Sequence, residues 1–290
     1  MKAKIWFISV AVSFALGAAG LRLASALMES HAAEKSNGSP KNQNPSIQHV
    51  ENRPFFQKLS CLAGARIAAV RKDPHQGIGA AFKACDAEIT EKTAPLRLTA
   101  EEKKLVFLSI LAHSMAPYGP SRSVHLEDLL NDKMMDCDNY AILTGHFSHI
   151  FLGSRSYIKF VGFDGGAVGN HAQLFVDING KDNLMLDPTI GLVARIGFND
   201  LLMGKSIHND QIMIFRQHDD KSLDYFVNKI WDSILTGKYR PVDMLYFFHS
   251  IDEYLKFSEE IGPLWGKDTS ALLLRFPTPA SEALRRNLVR

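Results

Sequence analysis

The chain has 290 residues, 46% of them hydrophobic, with 33 Lys and Arg against 31 Asp and Glu and a formal net charge of +2. That apolar content supports a real core and excludes an intrinsically disordered chain. Charges of both signs are dispersed without a basic run, which excludes the electrostatic footprint of a nucleic-acid-binding protein.

In chain order, Lys2 and Lys4 precede an uncharged run over residues 5–21, and small residues at Ala24 and Ala26, or at Ser30 and Ala32, offer cleavage points. Residues 1–32 therefore read as an export signal. The alternative is an uncleaved membrane tether, since about 17 apolar residues reach the short end of spanning length. Both readings put the remainder outside the cytoplasm, in a periplasm or extracellular space. No cysteine follows the run closely enough to accept a lipid. Residues 33–53 include EKSNGSPKNQNPSIQ, polar and with little to bury, and read as a flexible linker. A single domain over 54–290 follows, with a helical part (54–118), a core (119–197) and a helical C-terminal part (198–290).

Residues 55–72 and 76–88 read as helices joined at Asp73-Pro74-His75, where the proline stops the first. Cys61 and Cys85 lie equally far from Asp73, so an antiparallel hairpin would bring them level, and a disulfide between them suits an oxidising compartment. The alternative is two small buried residues, because Gly77 and Gly79 weaken the second helix. With three cysteines in the chain, the disulfide leaves Cys137 unpaired. A third helix over 99–116 is announced by Thr99 and Glu102 at capping-box spacing, and a fourth is expected over 124–130.

MMDCDNYAILTGHF (134–147) places Cys137 as the first residue of a helix capped by Asp136, with Tyr140, Leu143, Phe147, Ile150 and Phe151 on one face. The free N–H groups of a first turn favour a thiolate. Asp136 and Asp138 oppose it, so a cationic partner is needed to bring the thiol below the ordinary value of about 8.5.

YIKFVGF (157–163), HAQLFVDI (171–178) and NLMLD (183–187) are short and β-rich, and read as antiparallel strands. In the second, Ala172, Leu174, Val176 and Ile178 form the apolar face, leaving His171, Gln173, Phe175 and Asp177 on the other. Leu184 and Leu186 must join the apolar face, which puts Asp187 with His171. That common face requires a three-residue loop, Asn179-Gly180-Lys181, pairing Ile178 with Asp182 instead of the commoner two-residue turn. Gln173 then faces Asp187, with His171 diagonal to it. A Cys, a His and an Asp from a helix start and two neighbouring strands have the logic of a nucleophile, a base and a group that orients the base. Helices are expected again from residue 198, over 222–235 and over 241–260. The order makes the chain α+β, with helices grouped on one side of a small antiparallel sheet.

DCDNYA (136–141), HAQLFVDI and LDPTIGL (186–192) together resemble the transglutaminase-like superfamily of papain-fold cysteine enzymes over roughly residues 120–195. The resemblance implies a papain-like core in which a Cys-bearing helix packs on a small antiparallel sheet. It implies Cys137 as nucleophile, His171 as general base and acid, and Asp187 as its orienting partner. The activity implied is acyl transfer from an amide of a protein or peptide through a thioester, without metal or cofactor; members include peptidases, amidases and cross-linkers. Many members carry tryptophan where this chain has Gln173. The Cys137 N–H is an expected oxyanion donor, Asp136 and Gln173 are accessory candidates, and Tyr118 or Asn131 are weaker ones.

Other motifs carry less. His146 and His149 lie on the Cys137 helix, but nine residues of helix span about 13 Å, too far for one ion shared with Cys137. Gly165, Gly166 and Gly169 lack the Lys-Ser/Thr of a phosphate loop and read as a strand connection, and Tyr246, Phe247 and Phe248 as core. A non-catalytic scaffold of the same fold is the competing class.

Overall fold

In a computed structural model of the chain, the described residues are 56–121, 123–154, 158–163, 171–178, 181–237, 244–248, 253 and 255–256. The export signal, the linker, the glycines at 165, 166 and 169, and the Asn179-Gly180 turn all lie outside them.

The segment expected as one helix over 55–72 is divided. Strand β1 (Phe56–Gln57) comes first, and helix α1 (Gly64–Lys72) begins only after a turn. The cause is Glu88 of helix α2 (Pro74–Lys92): its carboxylate accepts the main-chain N–H groups of Ser60 and Cys61 at 2.8 and 2.9 Å, giving them partners that a helix would otherwise supply. Pro74 does not end α1 within a turn but opens α2 at its first position, with the Asp73 side chain accepting from the Gln76 N–H at 3.2 Å. Gly77 marks the close approach of α1 and α2, since a Cβ there would meet Val70 Cα at 2.7 Å. Cys61 and Cys85 form a disulfide with Cα atoms 5.3 Å apart. Cys61 precedes α1, so it is Glu88, not a level helix hairpin, that holds it against α2.

Helix α3 (Ala100–Met115) carries the expected Thr99/Glu102 capping box, and α4 (Leu126–Asn131) is short. Helix α5 (Cys137–Leu152) starts on a second box, in which Asp136 accepts from the Asn139 N–H at 3.1 Å and Asn139 Oδ1 accepts from the Asp136 N–H at 3.0 Å. The Tyr140 hydroxyl donates to Ala116 O at 2.7 Å, tying α5 to the end of α3. The loop between them returns on itself: Gly119 N–H donates to Met135 O and Met135 N–H to Pro117 O, which sets Tyr118 beside Met135, two residues before Cys137.

The sheet is larger than the three antiparallel strands expected. Seven strands run in the order β1-β6-β5-β4-β3-β2-β7, with β2 Ile158–Phe163, β3 His171–Ile178, β4 Lys181–Asp187, β5 Leu192–Ala194, β6 Ile212–Phe215 and β7 Met244–Phe248. All neighbours are antiparallel except β1 and β6. Residues 244–248, expected in a helix over 241–260, form instead the edge strand β7 beside β2, because MLYFF is β-prone and β2 offers an open edge. The C-terminal part is therefore not purely helical. Gly191, between β4 and β5, has φ +65°, and a Cβ there would lie 2.0 Å from Phe215 O.

The β3–β4 hairpin corrects a further expectation. Ile178 pairs with Lys181, so two residues, not three, separate the strands. A bulge then shifts the register, with Asp177 opposite Asp182 but Val176 opposite Leu184, and Asn183 is the extra residue. The shared apolar face is thus recovered by a bulge instead of a longer loop.

Both sheet faces are covered, in contrast to the one-sided arrangement expected. Ala172, Leu174, Val176, Leu184 and Leu186 pack with residues of α1, α2, α3 and α5 in one core. Phe175, Met185, Leu192 and Ile214 pack in the other with α6 (Phe198–Leu202) and α7 (Asp224–Leu235), through Phe198, Val227, Ile230 and Trp231. The chain is α+β with a mixed sheet between two helical layers. Across the layers, Arg195 donates to Leu96 O at 2.6 Å and pairs with Glu102 at 2.6 Å.

Reducing the disulfide, or replacing both Cys61 and Cys85 by alanine, should lower stability by about 3 kcal/mol, since the bridge closes a loop of sequence separation 24. Urea unfolding of oxidised and reduced protein checks this, and coincident curves would refute it.

Candidate active site

Cys137 is the first residue of α5, and its sulfur lies at the start of β3, where it accepts the Ala172 main-chain N–H. The helix packs on one sheet face while His171, Gln173 and Asp187 share the other by strand alternation. The two meet only because the N-terminus of α5 reaches the end of the strand. His171 and Asp187 are 5% and 0% exposed, and His171 Nε2 lies 2.6 Å from Asp187 Oδ2. Gln173 Nε2 donates to the same oxygen at 2.9 Å. Gln173 is fully buried, so it is a second donor on the orienting carboxylate rather than a group facing the solvent side of the thiol. With Nε2 held by Asp187, Nδ1 is the ring nitrogen left for chemistry.

Asp136 serves as the helix cap and takes the main-chain N–H groups of Asp138 and Asn139, not that of Cys137. Burial and the neighbouring Asp138 push its carboxyl up to about 6. Asn131, a weak oxyanion candidate, donates to Glu127 O within α4. Tyr118 shares the electrostatic environment of the site: burial and the charges of Cys137, Asp136, Asp138 and Asp187 push its phenol up to about 12, so it stays protonated.

The thiol differs from the sequence expectation. Burial, Asp138 and Asp136 push Cys137 well above the ordinary thiol value, and the Ala172 N–H only partly offsets them. The thiol donates to Asp138 Oδ1 at 3.6 Å. His171 moves the other way from what burial alone would do. Burial disfavours its charged form, but the Asp187 charge and hydrogen bond, with a smaller contribution from Asp138, hold it above the ordinary histidine value. These influences hold the thiol in its neutral form and favour the charged form of His171.

Two contributors were not legible in the sequence. Phe226 of α7 stacks on His171, with ring centroids 6.3 Å apart and an interplanar angle of 30°. Periodicity marks α7 as a helix but not the sheet face it covers. Behind Asp187 lies His113 of α3, whose Nδ1–H donates to Pro188 O at 3.0 Å while Nε2 is buried without a partner among the described residues. In the loop that enters α5, and not lined by Cys137, His171 or Asp187, a cavity of about 630 Å³ opens between Ser123, Asp128, Asp132 and Met134 among others.

In comparisons with models of protein families, with curated proteins and with solved structures, nothing matches the chain.

His113 should make the fold acid-sensitive. Burial and the facing His218 lower its pKa to about 4, from 6.5. As pH falls from about 6.5, the unfolded chain takes up a proton that the fold refuses until about 4. Stability present above 6.5 is lost across that window, by about 3 kcal/mol at roughly 1.4 kcal/mol per unit. Comparing urea unfolding of wild type and His113→Gln from pH 7 to 4 isolates this contribution from the opposing one of Asp136. Equal pH slopes in the two proteins would show that His113 does not carry it.

Proposed function

We propose that the chain is an exported cysteine-dependent hydrolase of amide or peptide bonds, with Cys137, His171 and Asp187 as its triad, in keeping with its resemblance to the transglutaminase-like superfamily. The observation that carries the reading is the buried His171–Asp187 pair at 2.6 Å, reinforced by Gln173 and opening at the strand end where the Cys137 sulfur takes the Ala172 N–H. A packing cysteine has no need of a buried His-Asp pair beside it.

His171 Nδ1 takes the thiol proton, and the sulfur attacks the substrate carbonyl carbon. The Cys137 N–H and the Tyr118 hydroxyl stabilise the developing oxyanion. When the carbon–nitrogen bond breaks, His171 passes its proton to the leaving amine and a thioester remains. Water then attacks the thioester, giving a proton to His171. The carbon–sulfur bond breaks, the acid leaves and the thiol reforms. Asp187 holds the ring through Nε2, and Gln173 holds Asp187.

The resting neutral thiol sets a condition. One proton must leave the Cys137–His171 pair before attack, and both groups sit above their ordinary values, so the active form accumulates only as pH rises past the usual histidine range. The raised thiol also favours a second reading, a non-catalytic binding domain of the same fold. Transfer to an amine is the lesser enzymatic outcome, since water far exceeds any dilute amine in competing for the thioester.

Activity on a labelled protein or peptide amide should show an acid limb above pH 6.5 and vanish in Cys137→Ala. Asp187→Asn should lower kcat by up to about 10⁴, and Tyr118→Phe by roughly 10². Iodoacetamide labelling of Cys137 should likewise rise only above neutrality. Undiminished turnover in Cys137→Ala would sink the hydrolase. A labelled primary amine added to the assay separates the outcomes, because product dominated by conjugate at millimolar amine would favour a transferase.

A further inference from the structure

A second polar constellation lies on the far side of His113 from Asp187, and the proposed chemistry makes no use of it. Here a surface cavity of about 560 Å³ opens between the start of α1 and the segment after β6. That volume lies within the range of about 300–1,000 Å³ usual for small-molecule sites. Lys58, Arg71, Gln217 and His218 line it together with the apolar side chains of Leu62 and Ile67, and no carboxylate is in its lining.

The polar part of this wall is built and unanswered. Arg71 is pinned by the main-chain carbonyls of Leu130 and Met115, so its charge is a fixed feature. Gln217 Nε2 and His218 Nε2 are both buried and have no hydrogen-bond partner among the described residues. An unpaired buried donor such as the Gln217 amide is costly unless something occupies the space before it. Burial, and to a smaller degree Lys58, disfavour the charged form of His218, against its hydrogen bonds to the His113 and Ser114 main chain and the charge of Asp220; the His113 ring lies 5.8 Å from its own. Lys58 and the pinned Arg71 guanidinium put two positive charges in a lining without a carboxylate, which favours an anion in the cavity. The apolar remainder of the lining would be left wet by a bare inorganic anion and dry by one that carries a hydrocarbon chain.

We propose that this cavity binds a small carboxylate bearing an apolar chain, with the head group between Lys58 and the Gln217 amide near Arg71 and the chain against Leu62 and Ile67. The site stands apart from the triad and does not rest on the hydrolase reading.

Calorimetric titration of the full chain with octanoate tests it, with octanol and inorganic phosphate as the two halves of the ligand offered separately. The expected result is saturable one-site binding of octanoate, with phosphate and octanol each binding far more weakly. Lys58→Glu, at an exposed rim position, should weaken octanoate by roughly tenfold or more; Lys58→Arg should retain it. Cys137→Ala should bind octanoate as wild type does, which separates this site from the proposed reaction centre. Absence of saturable octanoate binding, equal binding of octanol, or an undiminished affinity in Lys58→Glu with unchanged circular dichroism would overturn the proposal. Octanoate bound no more tightly than phosphate would overturn it as well, because the apolar wall would then contribute nothing.

Discussion

Asp187 is a carboxylate with no exposure to water, and the local structure is organised by what that burial requires. Removing a carboxylate from water costs several kcal/mol unless donors replace the lost solvent. Both donors come from β3, His171 and Gln173, at alternate positions on one strand face, and both converge on Oδ2. Such convergence demands a particular register between β3 and β4. A shift of one residue would carry the carboxylate to the opposite face and leave it among Ala172, Leu174 and Val176. The bulge at Asn183 prevents this, and Arg195 donates to the Asn183 side chain at 3.4 Å while anchoring the same region to Leu96 and Glu102.

The electrostatics around Cys137 follow from the same crowding. A helix N-terminus contributes the equivalent of about half a positive charge, worth under about 1 kcal/mol at an exposed position. Against it stand burial and the carboxylates of Asp138, Asp136 and, more distantly, Asp187. The dipole loses this comparison, so the thiol is pushed up, while the Asp187 charge favours the charged form of His171. A helix start alone does not make a cysteine reactive; the sign of its neighbours decides.

Two helical layers press on the sheet, and each brings one group to the site. The layer of α1, α2, α3 and α5 supplies the thiol and the buried His113 behind Asp187, and the layer of α6 and α7 supplies Phe226 over the His171 ring. His113 closes the back of the site without a charge, because an imidazolium there would carry an N–H with nothing to receive it.

Sequence alone determined what depends on near neighbours: the capping box at Thr99, the cap at Asp136, the position of Cys137 on the first turn, the alternating faces of β3, and the grouping of His171 and Asp187 on one of them. These follow from periods of 3.6 and 2 and from side chains reaching three residues along the chain. Tertiary structure decided the rest. Residues 56–63 left the helix where Glu88, distant in sequence, captured the N–H groups of Ser60 and Cys61, and residues 244–248 became a strand because β2 presented an edge. The hairpin kept its two-residue spacing because a bulge, invisible to alternation, absorbed the frame. The ionisation of Cys137 also escaped the sequence, since burial and through-space charge depend on which surfaces meet, and local pattern carries no record of that.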